Sequence, residues 1–333
     1  MELVPCPIAG DRDFTPLIEA PDRFDLHGPS WSIVRANSSG LVMLNPRPDR
    51  TEAARHYPAE TYDPFIREGA TRSARDRAYL AVSSLLLRRR AARVLNGLCK
   101  PAGTIRILEV GCAGGRLLLH QHRRHGIPLE NLTGIEPDPG AAEAARASGL
   151  PGIYETGLDA TAFDCRFDRI VFWHSLEHIH RIGETLAAAR NLLEPEGMLV
   201  VALPNIASLD AAVYGRDWVA LDAPRHLYHF TPGSLGSLLT KYGFSIVEVK
   251  PYPADTLYNA WYSEKLRCAR SGRRFGSWNA LRASAVAGAS IMSGADPARS
   301  SGFVCRAIRC AQEPDSAGEI RPRDLSSSAD ATR

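Results

Sequence analysis

The chain is predicted to fold as a doubly wound α/β domain around a mostly parallel sheet. Three observations predict it. Strand-like and helix-like segments alternate between residues 104 and 251, and the first of these strands ends in a glycine-rich turn. At 333 residues and 44% hydrophobic content, the chain can bury a full α/β core and still carry a smaller second unit.

Residues 1–75 are rich in Pro, Asp and Arg, with short apolar runs such as "GLVMLNP" between turn residues, and predict a small strand-and-loop module. From 76 to 98, apolar residues at helical spacing predict one long amphipathic helix. "TIRILEV" (104–110) reads as a buried strand, followed by the glycine turn and a helix to about 125. "NLTGIE" (131–136) is the second strand, and its helix "DPGAAEAARAS" has Asp138 placed as N-cap. "GIYET", "FDRIVFWH" (167–174) and "GMLVVALP" (197–204) are the third to fifth strands, with the helix "GETLAAARNLL" between the last two. A loop-rich stretch to about 230 precedes the helix "TPGSLGSLLTKYG" and the strand "FSIVEVKP". Residues 255–290 read as a helical insertion, and "SGFVCRAIRC" (301–310) as a closing strand. The tail 312–333 has almost no apolar content and is expected to be disordered.

No run of 18 apolar residues suggests a membrane span. The start "MELVPCPIAGDRDF" has neither a basic n-region nor an apolar h-region, so no secretory signal is expected and a cytoplasmic location follows. Seven scattered cysteines without a CxxC pair argue against a disulfide framework. A net charge of +3 does not imply a nucleic-acid partner, and the run Arg88-Arg89-Arg90 reads as the solvated face of a helix.

The glycine turn narrows the chemistry. In "LEVGCAGGRLLL", Gly111, Gly114 and Gly115 let the backbone turn tightly and approach a ligand. A dinucleotide fingerprint needs glycine at 111, 113 and 116, where this chain has Gly111, Ala113 and Arg116. A GxxxxGK-S/T phosphate loop is also absent. What is present is Glu109 before the turn and Glu136 at the end of the next strand, where a carboxylate accepts hydrogen bonds from ribose hydroxyls. A turn without basic residues suits a nucleoside lacking phosphates, and Asp159 after the third strand is placed to receive an adenine amino group.

"ILEVGCAGGRLL", "GIEPD", "FDRIVFWHSLEHIHRIGETLAAARNLLEPEGMLVVALPN" and "APRHLYHFTPGSLGSLLTKYGFSIVEV" together resemble a class I S-adenosylmethionine-dependent methyltransferase of the bacterial small-molecule or glycan type. The resemblance covers about residues 76 to 250. It implies a Rossmann-like seven-stranded sheet with the last strand antiparallel, in a methyltransferase domain at 76–311 that includes the insertion. Its cofactor would be S-adenosylmethionine. Glu109 and the backbone of Gly111, Cys112, Ala113 and Gly115 would line the methionine part, Glu136 the ribose and Asp159 the adenine. His174 would lie beside the sulfonium. Ala113 departs from the family's middle glycine, and is tolerated if its φ stays negative.

Many such relatives begin with a zinc ribbon built on two CxxC knuckles. Here Cys6 remains, but Ala9, Ala36 and Ser39 stand where thiolates are expected, and one thiol cannot hold zinc tetrahedrally. The expectation is a ribbon-like module that has lost its metal.

Methyl transfer is an in-line displacement, and an oxygen nucleophile also benefits from a base. Histidines at the carboxyl edge of the sheet are His174 and His178 after the fourth strand, and His226 and His229 after the fifth. On a helix His174, Glu177 and His178 would share one face and His180 would turn to solvent. His178 and His226 are therefore the catalytic candidates, with no resident metal expected. A cation bridging Glu177, His178 and His226 is the rival reading, and Trp218 and Tyr228 are candidate pocket walls. The expected activity is O-methylation of a small molecule or glycan intermediate, with no nucleic acid partner. The alternatives are a non-catalytic Rossmann-like binding protein and an RNA 2′-O-methyltransferase, the latter dependent on metal at Glu177 and His178.

Overall fold

The computed structural model describes residues 1–57 and 74–310. The tail expected to be disordered lies outside the described residues, as does part of the N-terminal stretch. The chain opens with β1 (Phe14–Ala20), β2 (Trp31–Ala36) and β3 (Val42–Leu44), an antiparallel meander, followed by the short α1 (Arg50–Ala53). Asp49 and Glu52 form a capping box that fixes the start of α1. The long α2 (Ala74–Leu95) then leads into the alternating segment.

That segment runs β4 (Ile107–Val110), α3 (Arg116–His125), β5 (Leu132–Ile135), α4 (Pro139–Ala147), β6 (Gly152–Tyr154), β7 (Phe167–Trp173), α5 (Ile182–Leu192) and β8 (Leu193–Pro204). After it come α6 (Leu209–Tyr214), β9 (Tyr228–His229), α7 (Pro232–Lys241), β10 (Phe244–Pro251), α8 (Thr256–Arg270), α9 (Ser277–Ser293) and β11 (Gly302–Arg309). Local chemistry sets the helix starts. The Asp138 carboxylate accepts from Ala141 N–H at 2.7 Å with Pro139 at the first helical position, and Thr231 caps α7 through Ser234.

Among the described residues the main sheet has seven strands in the order β10-β11-β8-β7-β4-β5-β6. β6, β5, β4, β7 and β8 pair in parallel, and β11 is antiparallel to both β8 and β10. Every residue of β4 and β7 is buried, as strands covered by helices on both faces must be. The chain winds outward from β4 to β6 and then returns to β7 on the other side of β4. This reversal opens a crevice at the carboxyl ends of β4 and β7, where ligands of such sheets bind. Arg169, buried within β7, donates to the Val94 and Asn96 carbonyls and so pins the end of α2 to the sheet.

The meander gains its fourth strand from far along the chain. β9 pairs antiparallel with β3, Val42 opposite His229 and Met43 opposite Tyr228. One apolar cluster runs from Cys6, Ile33 and Met43 through Tyr228 and Phe230 to Leu203 in β8. The helical insertion is the α8–α9 hairpin, which packs on α6.

Candidate functional site

The turn after β4 is built from glycines with positive φ. Gly111 has φ +78°, and an added Cβ would lie 2.5 Å from the Ser175 Cβ, so only glycine fits. Gly115 has φ +73° and would drive a Cβ to 2.2 Å from Leu150. A Cβ at Gly114 meets nothing within 4 Å, which makes it the open side of the turn. Ala113 lies between them with φ +45°, which corrects the expectation of a negative φ. The cause is its N–H, which is turned across to donate to Glu136 Oε2 at 2.8 Å.

Glu136 is thus held from both sides, since the Asp138 N–H donates to its other oxygen at 2.9 Å. Each oxygen keeps a second lone pair with which to accept from a diol. Burial raises its pKa, against those two N–H bonds. Glu109 is buried too, and its Oε2 has no hydrogen-bond partner. Burial pushes its pKa up to about 8, with Arg90 opposing and Glu136 adding. An orphaned carboxyl beside a glycine turn fits a ligand that brings its own cation, such as an α-amino group. The Cys112 side chain turns into the core against Gly134, so only its backbone faces the crevice. Asp159, beyond β6, pairs with Arg181 at 3.2 Å.

His174 follows β7 with φ +52°, and its ring lies between two carboxylates. Nε2 is 2.9 Å from Asp255 Oδ2 and Nδ1 is 3.7 Å from Glu177 Oε1. Burial works to lower its pKa, but the bond to Asp255 and the charges of Asp255 and Glu177 outweigh it and raise the pKa to about 9. The imidazole is therefore cationic at neutral pH. Arg90 approaches the same carboxylate at 3.8 Å and lies over the Trp173 ring. Arg88 and Arg89 are exposed, but Arg90 is not part of the predicted solvated face. It is drawn inward by Asp255, Trp173 and Tyr252.

Residues 176–178 form a 3-10 turn, not the predicted α-helical face, yet Glu177 and His178 still meet His226. One imidazole nitrogen of each histidine and one Glu177 oxygen lie within 4.8 Å of one another. Glu177 is 1% exposed and neither of its oxygens has a hydrogen-bond partner. His178 Nδ1 lies 3.1 Å from the Arg225 carbonyl, and His226 Nδ1 lies 2.8 Å from the Ala220 carbonyl. A carbonyl only accepts, so His226 Nδ1 carries the proton and its Nε2 keeps a lone pair, while His178 Nδ1 has both a carbonyl and the Tyr57 hydroxyl within reach. Burial, then His226, push His178 down to about 4, and burial pushes His229 down to about 3. Glu177, His226 and His229 line a cavity of about 10 Å³ with Trp218, Tyr228 and Phe230, room for about one water. Trp218 donates to Asp210 and Tyr228 accepts from Arg47, so both aromatic walls are fixed.

His180 corrects another expectation. It is half-buried, its Nε2 donating to the Pro48 carbonyl at 3.0 Å, because the N-terminal stretch covers this side.

Sequence reasoning missed the groups that hold these histidines in place. Arg225 lies between Asp22 at 2.7 Å and Asp222 at 2.8 Å, and Arg23 pairs with Asp222 at 2.8 Å. Tyr57 Oη is 3.0 Å from His178 Nδ1. Arg225 stood inside the quoted "PRHLYHF" with Asp222 three residues before it, but its other partner, Asp22, is 203 residues away and no local spacing marks it.

A family model described as a methyltransferase domain matches residues 75–249. The chain is similar to the ubiquinone biosynthesis O-methyltransferase of Azorhizobium caulinodans, with 28% identity over 174 residues, 49% of this chain and 67% of the relative. Its counterpart in Cereibacter sphaeroides is 30% identical over 170 residues, 48% of this chain and 68% of the relative. Among solved structures, an S-adenosylmethionine-dependent methyltransferase from Mesorhizobium loti aligns with a TM-score of 0.45 at 17% identity, over 67% of this chain and all of that one. Phosphoethanolamine N-methyltransferase 2 of Haemonchus contortus, in complex with S-adenosyl-L-methionine, aligns with a TM-score of 0.46 at 13% identity, over 67% of this chain and 53% of that one.

Proposed function

The chain belongs to the methyltransferase domain family and is an S-adenosylmethionine-dependent methyltransferase, and from that premise we propose that it methylates an oxygen of a small-molecule or glycan acceptor. The observation that carries this reading is the meeting of His178 and His226, the latter with a free Nε2 lone pair, beside a Glu177 carboxylate that has no hydrogen-bond partner. The O-methyltransferases among the relatives support oxygen as the acceptor atom.

The cofactor supplies a methyl group made electrophilic by its sulfonium. In this reading Glu136 would hold the ribose diol, Glu109 the amino end and Asp159 the adenine edge, while the backbone of 111–115 would take the methionine chain. An acceptor hydroxyl that takes that methyl would give up its proton, which His226 Nε2 is placed to receive. Glu177, 4.0 Å from His226 Nε2, stabilises the imidazolium that forms. His178, too weak a base at about 4 to hold that proton, orients the hydroxyl.

A second reading places a divalent cation among Glu177, His178 and His226, because a backbone carbonyl on Nδ1–H is also how metal-ligating histidines are oriented. In the N-terminal module, Cys6 Sγ lies 3.2 Å from Ser39 Oγ, and Gly10 and Gly40 close two similar turns at φ +81° and +70°. This supports the reading of a zinc ribbon that has lost its metal, and elemental analysis should find no zinc on the purified chain.

The test is labelled-methyl transfer to an acceptor panel, with and without chelator. His226→Ala should lower kcat by about 10²–10⁴ while leaving cofactor affinity unchanged. Glu136→Ala should weaken cofactor binding by about 1–3 kcal/mol in calorimetry. Activity lost to chelator and restored by a divalent cation would favour the second reading. A protein whose melting temperature moves with neither the cofactor nor its demethylated product would be the non-catalytic alternative.

A further inference from the structure

Helix α9 turns its large apolar residues outward. Trp278 is 74% exposed, Leu281 60% and Met292 84%, while the residues facing the body of the protein are the small Ala283, Ala287 and Ser290. Trp278, Leu281, Ala285, Gly288 and Met292 fall within roughly 80° of one another around the helix, a continuous apolar stripe on the side that an ordinary surface helix makes polar. Ile291 is 47% exposed, and α6, on which α9 packs, adds Leu209 and Val213 at 36% and 38%. An exposed apolar face of this extent marks an interaction site.

The charge around it identifies the partner. Between Thr256 and Ser293 the hairpin carries six cationic side chains and a single carboxylate, whereas the whole chain has a net charge of only +3. The carboxylate, Glu264, is buried and paired with Arg282, and Arg270 is paired with Asp217. Arg267, Arg273 and Arg274 remain exposed near the turn that leads into Trp278. A nucleic acid would be met by cations and stacking aromatics, not by leucine, isoleucine and methionine. A second copy of this face would bring the same cations with it. An apolar stripe bordered by arginine, with tryptophan at its edge, matches an anionic bilayer surface. Among the described residues no helix is long and apolar enough to cross a membrane, so α9 would lie in the interface.

We propose that the α8–α9 hairpin docks the protein on an anionic lipid bilayer. Its place in the fold joins that surface to the candidate site. α8 begins immediately after Asp255, the partner of His174, and the Val219 N–H donates to Ser263 of α8 at 2.8 Å, fastening the hairpin to the loop that carries His226. The acceptor is then an amphiphile whose tail stays in the bilayer while its hydroxyl reaches His226. That last step rests on the proposed methyl transfer; the docking does not.

The experiment is vesicle co-sedimentation of the full chain, using phosphatidylcholine vesicles with and without phosphatidylglycerol, in low and high salt. Binding is expected only with phosphatidylglycerol and is expected to fall with salt. Replacing Arg267, Arg273 and Arg274 by glutamine should weaken it by about a hundredfold. The pair Trp278→Ser and Met292→Ser should abolish it while leaving the melting temperature and cofactor affinity of the purified protein in place. Absence of binding to anionic vesicles overturns the proposal, as does binding that survives the double serine variant. Sedimentation velocity showing a dimer that the same variant dissociates would also overturn it, assigning the face to a second copy. None of these readouts needs methyl transfer, so a failed acceptor screen leaves the docking result intact.

Discussion

At the scale of single residues, two left-handed backbones bear on function. Ala113 holds φ +45° so that its N–H can reach Glu136, a conformation that costs an L-residue with a Cβ about 1–2 kcal/mol. Ala113→Gly should therefore raise stability by roughly 1 kcal/mol in thermal unfolding without weakening cofactor binding; a lower melting temperature would mean the alanine is unstrained. His174 reports through pH. Its folded pKa of about 9 lies above the ordinary 6.5, so its stabilising contribution is complete below about 6.5 and disappears as pH rises through 9. The loss amounts to at most roughly 3 kcal/mol. Glu109, raised by burial from 4.5 to about 8, adds a loss in the same direction over that lower window. Urea midpoints should fall between pH 6.5 and 9, and His174→Gln should flatten the upper part of that fall.

At the scale of elements, the loop between α6 and β9 is held by ions. Arg225 has a fully buried side chain, and Asp22, Asp222 and Arg23 complete the network across two distant stretches of chain. Arg23 and Arg225 hold the Asp222 carboxyl below the usual range, despite the burial that would raise it. Arg225→Ala would leave the buried Asp22 carboxylate without its guanidinium and Asp222 with Arg23 alone, at a cost of about 3–5 kcal/mol. Because the Arg225 carbonyl also lies 3.1 Å from His178 Nδ1, that ring should loosen with the loop. A urea midpoint close to that of the parent would refute the network's role. The motif "PRHLYHF" was legible as a histidine-bearing loop, but neither composition nor spacing shows that its arginine is the anchor.

At the scale of the molecule, the N-terminal meander and the α/β sheet share one apolar cluster, and β9 completes the smaller sheet from within the larger unit. Removing residues 1–57 would unpair β9 and strip the cover from Asp222, Arg225 and His180. The truncated chain should lose cooperative unfolding in circular dichroism, and cofactor affinity with it; a truncated protein that melts like the parent would show that the meander is dispensable.

The order of strands and helices and the glycine turn with Glu136 across from it were legible in the sequence, because burial on both faces and tight turns leave local signatures in residue type and spacing. So was the antiparallel closing strand, which the sheet places between β8 and β10. Contacts between distant residues leave no such trace. Only the tertiary structure paired Asp255 with His174, brought Arg90 out of an apparently solvated run, and set Tyr57 against His178. Only it fixed which nitrogen of His226 carries the proton, since a histidine's tautomer is decided by the carbonyl that folding brings to its ring.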